Sequence, residues 1–210
     1  MLIILNVAAG KFKPLPIMSN KEMLASPKFL VNVDTSYFSD TKPASVETEC
    51  ESWTRNILHE RRSQEFFLNE DAFEFMERTR LKFDRVSIYR FLEHVSFTQV
   101  EYFIYLVSTV TRKGALVDVI VPDYMILAEM IMNEENYMQN PMPGFNFASH
   151  NILLTTELLN EPSCPHASIW TKNRMKYFWE LEGRFKVAAQ HIGYKFDGRD
   201  IYLRAIIERL

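Results

Sequence analysis

The sequence predicts an α/β fold, namely a doubly wound, mostly parallel seven-stranded sheet with an antiparallel C-terminal strand. Two observations lead to this prediction. Short runs of consecutive apolar residues, typical of strands buried on both faces, alternate along the chain with segments of helical pattern. After the last helical segment, two further runs flank Asp197-Gly198, a dipeptide typical of a tight β-hairpin turn.

Seven strand candidates support this fold. Five precede the hairpin and two form it: Ile3–Val7, Phe29–Val33, Glu65–Leu68, Arg85–Tyr89, Ala115–Val121, Phe185–Ile192 and Ile201–Ile207. Strands that alternate with helices at this spacing form βαβ units, which makes the first five strands parallel and places helices on both faces of the sheet.

Four helices are predicted from an N-cap residue or a capping-box pattern at their start. They run from Thr48 to about Arg62, from Ala72 to Arg80 after Asp71, from Ser96 to Lys113-Gly114, and from Thr171 to Gly183. The segment Tyr124–Pro165 contains four of the nine prolines and breaks the alternation, so we expect an irregular insertion that covers the substrate side like a lid.

Length and composition limit the class of protein. The 210 residues suffice for one domain over residues 1–210 with a sizeable core, and 47% apolar residues are typical of a globular chain. The formal charge of −3 argues against a protein held mainly by nucleic-acid phosphates or an anionic membrane. Two cysteines and five scattered histidines give neither a disulfide framework nor a metal site. We therefore expect a cytoplasmic protein with no membrane partner and no metal.

The residues at the strand ends are the candidates for a ligand site, because open parallel sheets bind ligands at the carboxyl ends of their strands. Ala8-Ala9-Gly10 follow the first strand, Asp34 the second, Asp71 the third and Arg90 the fourth. Each has an ordinary structural explanation, such as a tight turn for Gly10, a strand-end turn for Asp34 and a helix cap for Asp71. Their joint occurrence at successive strand ends favours a ligand site, and a carboxylate after the second strand suits the two hydroxyls of a ribose.

These stretches resemble the class I S-adenosylmethionine-dependent methyltransferases, in particular the branch that acts on small molecules. The resemblance is carried by Leu5-Asn-Val-Ala-Ala-Gly10, Val31-Asn-Val-Asp34, Asp71-Ala-Phe-Glu-Phe-Met76 and Phe83–Val95, and it continues through Gly114–Pro122 and the final hairpin. It implies a Rossmann-like methyltransferase fold with S-adenosylmethionine as the cofactor. The residues that would line the cofactor are Ala8, Ala9, Gly10, Asp34, Asp71, Ala72, Arg90 and Phe91. Asp34 would bind the ribose hydroxyls and Asp71 the adenine amino group.

The resemblance also implies a methyl transfer, in which a nucleophile attacks the methyl group in line and needs mainly positioning and sometimes a base. Tyr89 and His94 are the candidate catalytic bases. Tyr89-Arg-Phe-Leu92 stands where amino-group DNA methyltransferases carry an Asp/Asn-Pro-Pro-aromatic tetrapeptide. The expected acceptor is therefore a small molecule, sugar or nucleotide, stable nucleic-acid binding is not expected, and a protein partner stays open.

Two other functions stay open. Ala8 stands where the family has its first glycine, and Lys11–Lys28 contains three prolines, which favours a degenerate relative with a structural or assembly role. A nicotinamide-dependent dehydrogenase would need a Gly-rich turn that opens a helix, and the same prolines argue against it.

Overall fold

The computed structural model describes residues 2–7, 28–34, 43–60, 63–132, 167–196 and 199–210. Within these residues, seven strands form one sheet: Leu2–Val7 (β1), Lys28–Val33 (β2), Gln64–Leu68 (β3), Phe83–Tyr89 (β4), Thr111–Pro122 (β5), Phe185–Phe196 (β6) and Arg199–Arg209 (β7). The strand order is β3-β2-β1-β4-β5-β7-β6. Neighbouring strands are parallel except at β7, which is antiparallel to both β5 and β6. The predicted fold class is confirmed, while the Asp197-Gly198 turn lies outside the described residues.

Five α-helices and one 3-10 helix lie in this part of the chain. They are Pro43–Glu60 (α1), Ala72–Arg78 (α2), the 3-10 helix Leu92–His94, Phe97–Val110 (α3), Tyr124–Met132 (α4) and Lys172–Glu180 (α5). None of these helices is long and apolar enough to cross a membrane.

The sheet has two chemically different faces because side chains alternate along each strand. The face that carries Ile3, Leu5 and Val7 is apolar, and it joins buried residues of α1, α2, α3 and α5 in one hydrophobic cluster. The opposite face carries a smaller cluster to which α4 contributes Tyr124 and Leu127. Helices therefore pack against both faces, as predicted for a doubly wound sheet.

The face that α4 covers also carries a row of polar side chains. Asn32, Asn6, Ser87 and Asp118 occupy paired positions on four adjacent strands. Asn6 donates from Nδ2 to Asn32 Oδ1 at 2.7 Å, and Asp118 accepts both guanidinium bonds of Arg204, from Nε at 2.9 Å and from Nη2 at 2.8 Å. These bonds offset part of the cost of burying polar groups inside the fold.

Two predicted helix boundaries were wrong. Helix α1 begins at Pro43, five residues before the predicted capping box at Thr48. Proline suits the first turn of a helix, where its missing N–H would have no intrahelical partner. Helix α3 ends at Val110, and Lys113-Gly114 belong to β5 instead of ending the helix. Gly114 has a φ of +75° and lies where the β4–β5 register shifts, so this glycine serves a β-bulge.

The segment Tyr124–Pro165 differs from the prediction in its first part. Tyr124–Met132 is a helix, although an irregular insertion was expected from the prolines that follow. Asp123 caps this helix, because its Oδ1 accepts the backbone N–H of Met125 at 3.0 Å. The remainder of the predicted lid lies outside the described residues, and its role stays a prediction.

Candidate functional site

The carboxyl ends of the parallel strands lie along one edge of the sheet and carry the predicted site residues. Asp34 directly follows β2, and its backbone N–H donates to the carbonyl of Leu68 at the end of β3, at 3.1 Å. This bond places the partly buried Asp34 beside the loop that leads to Asp71. The predicted glycine motif, Ala8-Ala9-Gly10, lies outside the described residues.

Asp71 is the N-cap of α2. Its Oδ1 accepts the backbone N–H groups of Phe73 at 2.8 Å and Glu74 at 3.2 Å, while Oδ2 takes no part in these bonds. The neighbouring Ala72 is 5% exposed. The structure thus shows Asp71 in the helix-capping role that was the alternative to ligand binding. Because one carboxylate oxygen lies outside the cap, the predicted contact with an adenine amino group stays available.

Arg90 follows β4 in a backbone conformation that is unusual for a side chain with a Cβ. Its φ is +54°, and among the described residues it alone, apart from glycines, has a positive φ. Its backbone N–H donates to the carbonyl of Ile120 at 2.7 Å, which ties the end of β4 to β5. A left-handed arginine costs free energy, and such strain tends to occur at functional sites.

Phe91 and His94 lie in the turn that follows Arg90. The ring of Phe91 packs against Phe103 of α3 with centroids 5.3 Å apart. His94 is partly buried at the end of the 3-10 helix, and its backbone N–H donates to the Phe91 carbonyl at 2.9 Å. Both residues therefore belong to one tight turn at the carboxyl end of β4.

Tyr89 is the last residue of β4, and its side chain lies on the polar face of the sheet. It is 4% exposed, and its hydroxyl donates to Asp118 Oδ2 at 3.0 Å. Burial, followed by the negative charge of Asp118, raises the pKa of the Tyr89 hydroxyl. A phenol that keeps its proton does not act as a base. The geometry therefore favours a structural role for the hydrogen bond from Tyr89 to Asp118. The catalytic role of Tyr89 stays a prediction.

Glu93 belongs to the stretch Phe83–Val95 that carries the resemblance, which implied a position at the rim of the cleft but no catalytic or cofactor-binding role. It is 0% exposed, and neither carboxylate oxygen has a hydrogen-bond partner of good geometry among the described residues. Burial raises the pKa of its carboxyl to about 8, against smaller lowering effects of its own backbone N–H and the Arg90 guanidinium. Burial therefore favours the protonated form of this carboxyl.

The 3-10 helix that carries Glu93 is held by a distant part of the chain. The backbone N–H groups of Ala167 and Ser168 donate to the Glu93 carbonyl, at 2.6 and 3.0 Å. The hydroxyl of Ser168 donates to the Leu92 carbonyl at 2.7 Å and accepts from Trp170 Nε1 at 2.9 Å. These bonds fix the backbone on which the Glu93 side chain stands.

Asp123 completes the row of acidic strand ends. It follows β5, is 1% exposed, and donates its backbone N–H to the Ile201 carbonyl at 2.9 Å. Burial raises the pKa of its carboxyl, while the backbone N–H groups of Met125 and Ile126 lower it. Its bonds to α4 explain Asp123 as a helix cap. In the described ranges, no three His, Cys, Asp or Glu side chains are grouped so that they could hold a metal ion.

Comparison with solved structures identifies the architecture. No protein-family model and no curated protein matches the sequence. A S-adenosylmethionine-dependent methyltransferase from Methanosarcina mazei superimposes with a TM-score of 0.55 at 14% identity, over 100% of this chain and 92% of that one. The N-methyltransferase NodS from Bradyrhizobium japonicum, in complex with S-adenosyl-L-homocysteine, gives 0.51 at 12% identity, over 99% and 78%. The chain has the fold of the class I S-adenosylmethionine-dependent methyltransferases.

A third structure agrees with this assignment. Magnesium protoporphyrin IX methyltransferase from Synechocystis, with bound S-adenosyl-L-homocysteine, gives a TM-score of 0.51 at 9% identity, over 100% of this chain and 74% of that one. At these identities the likeness concerns the fold, and at that level the predicted resemblance is confirmed.

In this methyltransferase fold, the strand order reverses between β1 and β4. The chain proceeds from β1 outward to β2 and β3, and then crosses back to β4 and β5 on the other side. Ligands of open α/β sheets bind at such a switch point. Asp34 and Asp71 lie on one side of it and Arg90 and Glu93 on the other, so the described candidates all follow strands that end at the carboxyl edge.

A surface groove lies at the opposite, amino edge of the sheet. It has a volume of about 490 Å³, and its lining includes Ile3, Cys50, Arg80 and Arg112. None of the predicted site residues lines this groove, so it has no part in the candidate site.

Proposed function

We propose that this chain is a S-adenosylmethionine-dependent methyltransferase that binds its cofactor at the carboxyl edge of the sheet. The observation that carries the proposal is the placement of ligand-type residues on both sides of the β1/β4 switch point, with Asp34 and Asp71 on one side and Arg90 on the other. The acceptor is a small molecule, sugar or nucleotide, in keeping with the net charge of −3.

The donor set fits the cofactor. Its ribose hydroxyls and adenine amino group donate hydrogen bonds, and the carboxylates of Asp34 and Asp71 accept them. Ala72, next to Asp71, carries only a methyl group, in keeping with its proposed place beside the adenine ring. The proposed contacts of Ala8, Ala9 and Gly10 with the methionine part complete the set.

When bound, the cofactor supplies a methyl group on a sulfonium, which is already activated toward a nucleophile. The work of the chain is therefore mainly positioning. Phe91, which follows the end of β4, packs on Phe103, and Arg90 adds a positive charge at the acceptor side. His94, in the same turn, is the proposed proton acceptor where the nucleophile requires one.

Calorimetric titration with S-adenosylmethionine and S-adenosyl-L-homocysteine tests this proposal. Asp34→Ala removes the carboxylate assigned to the ribose, and we expect it to weaken binding roughly 10- to 100-fold, the range for a charge-assisted hydrogen bond. Glu49→Ala, on the exposed side of α1, is the control and should bind as the wild type does. Equal binding by Asp34→Ala and the wild type would refute the site. A wild-type chain that binds neither compound would favour the degenerate, structural role.

A further inference from the structure

Within the described residues, Glu93 differs from the other buried acidic side chains of the sheet. Asp118 accepts two bonds from Arg204, and Asp123 accepts the Met125 N–H as a helix cap. Neither carboxylate oxygen of Glu93 has a hydrogen-bond partner of good geometry in the described part of the chain, although the residue is 0% exposed. A buried polar group without a partner destabilises the fold and requires another explanation.

The position of Glu93 provides that explanation. It lies four residues after the end of β4, beside the switch point and three positions after the strained Arg90. Its backbone is fixed by the bonds from Ala167 and Ser168 to its carbonyl. A rigid backbone that presents an unpartnered carboxyl at the ligand edge is typical of a binding or catalytic group.

We propose that Glu93 binds the methyl acceptor directly and that this acceptor is an amine. The inference rests on the proposed methyl transfer and specifies its substrate class. The carboxylate has no exposed surface here, so the acceptor displaces neighbouring side chains when it binds.

The chemistry of the site favours an amine over a hydroxyl acceptor. The Glu93 carboxyl is 0% exposed, and its oxygens accept no bond of good geometry from the described residues, so a bound group that brings both N–H donors and a positive charge matches it best. A hydroxyl acceptor brings one donor and no charge that would favour the carboxylate form. An ammonium group would supply the missing positive charge, which favours the carboxylate form. For an amine acceptor, Glu93 rather than His94 is then the proton acceptor, because the bound ammonium favours its carboxylate form.

In the proposed methyl transfer, the bound ammonium gives a proton to the Glu93 carboxylate and becomes a neutral amine with a free electron pair. That pair forms the bond to the methyl carbon, while the pair of the breaking C–S bond stays on sulfur as a thioether. The methylated product leaves as an ammonium, and the Glu93 proton passes to solvent when the next ammonium binds.

The test uses the full chain with S-adenosylmethionine labelled in its methyl group and two pools of small molecules. Each amine of one pool has an alcohol of the same carbon skeleton in the other. We expect label in the amine pool only, and a loss of at least about 100-fold for Glu93→Gln, the size of a general-base effect. Glu101→Gln makes the same chemical change on the exposed side of α3 and should label as the wild type does.

Binding of S-adenosylmethionine, measured in parallel, separates this inference from the proposed function. For Glu93→Gln we expect cofactor affinity within about twofold of the wild type, because Glu93 is assigned to the acceptor. The inference would be overturned by label in the alcohol pool, or by undiminished amine labelling with Glu93→Gln. It would also be overturned if the wild type binds the cofactor but labels neither pool. Loss of cofactor binding by the wild type would remove the proposed function itself, and this inference with it.

Discussion

Burial raises the pKa of the Glu93 carboxyl to about 8, whereas a glutamate in an unfolded chain has a pKa of about 4.3. Between these values the folded chain binds a proton that the unfolded chain has released. The free energy of unfolding therefore falls as pH rises from about 4.3 to 8 and levels off above. Among the described residues, the charged group that acts on this carboxyl is the guanidinium of Arg90. The side chain of Tyr124, on α4, also interacts with it and is a neutral phenol.

Glu93→Gln keeps the shape of the side chain and removes this titration. Because one pKa unit corresponds to about 1.4 kcal/mol, the wild type should lose on the order of a few kcal/mol more than Glu93→Gln between pH 5 and 8. Urea unfolding of both proteins at pH 5, 6, 7 and 8 measures the difference. Parallel pH dependences would contradict the buried state of Glu93.

The residues of the site differ in how far sequence alone reveals them. The placement of Asp34 and Asp71 at the carboxyl edge could be predicted, because parallel strands end at one edge and a carboxylate after such a strand is visible in the sequence. Their contacts with a cofactor stay a prediction. The resemblance placed Glu93 only at the rim of the cleft, and its complete burial was not predicted. The bonds of Ala167 and Ser168 to its carbonyl join positions more than seventy residues apart, which the sequence does not display. The contact of Tyr89 with Asp118 was hidden for the same reason, as it joins neighbouring strands.

At the level of elements, strands were predicted within a few residues and helix ends less well. A strand buried on both faces shows as an apolar run, which the sequence displays directly. Helix ends depend on which local bonds form. Ser96 precedes α3 as predicted, but its hydroxyl bonds Gln99 Oε1 at 2.8 Å and makes no bond to the helix backbone. Gly114 is the kind of residue that ends helices, and here it serves a bulge in β5.

The cap of α2 allows the two roles of Asp71 to be separated. Asp71→Ala removes the acceptor for Phe73 and Glu74 and should destabilise the chain by about 1 kcal/mol. Asp71→Asn keeps an oxygen for the cap and should unfold within about 0.5 kcal/mol of the wild type.

Cofactor affinity decides the second role of Asp71. In Asp71→Asn the cap occupies the one remaining oxygen, and an amide NH2 replaces the oxygen assigned to the adenine amino group. We expect weaker binding of S-adenosyl-L-homocysteine by calorimetry for both variants. An Asp71→Asn chain with wild-type stability and wild-type affinity would show that Asp71 acts as a helix cap alone.

At the scale of the whole molecule, the C-terminal hairpin forms the last two strands at one side of the sheet and is not an appendage. β7 lies between β5 and β6, so β5 has no other neighbour on that side. Arg204 of β7 pairs with Asp118, whose side chain is only 13% exposed. Phe185 at the start of β6 packs edge-on against Trp179 of α5, with ring centroids 5.1 Å apart. The hairpin thus stabilises strand β5, the partly buried carboxylate of Asp118 and helix α5.

Truncation after Gly183 should therefore give an aggregating chain that does not bind S-adenosylmethionine, although every proposed cofactor ligand remains. It exposes the paired edge of β5, leaves Asp118 without its guanidinium and uncovers Trp179, which together favour association through strand edges and apolar surface. Deletion of Leu210 alone, which lies beyond β7, is the control and should leave both properties intact. Size-exclusion chromatography and calorimetry measure them. A truncated chain that remains monomeric and binds the cofactor would show that five parallel strands suffice, and that the antiparallel hairpin contributes neither stability nor the shape of the crevice.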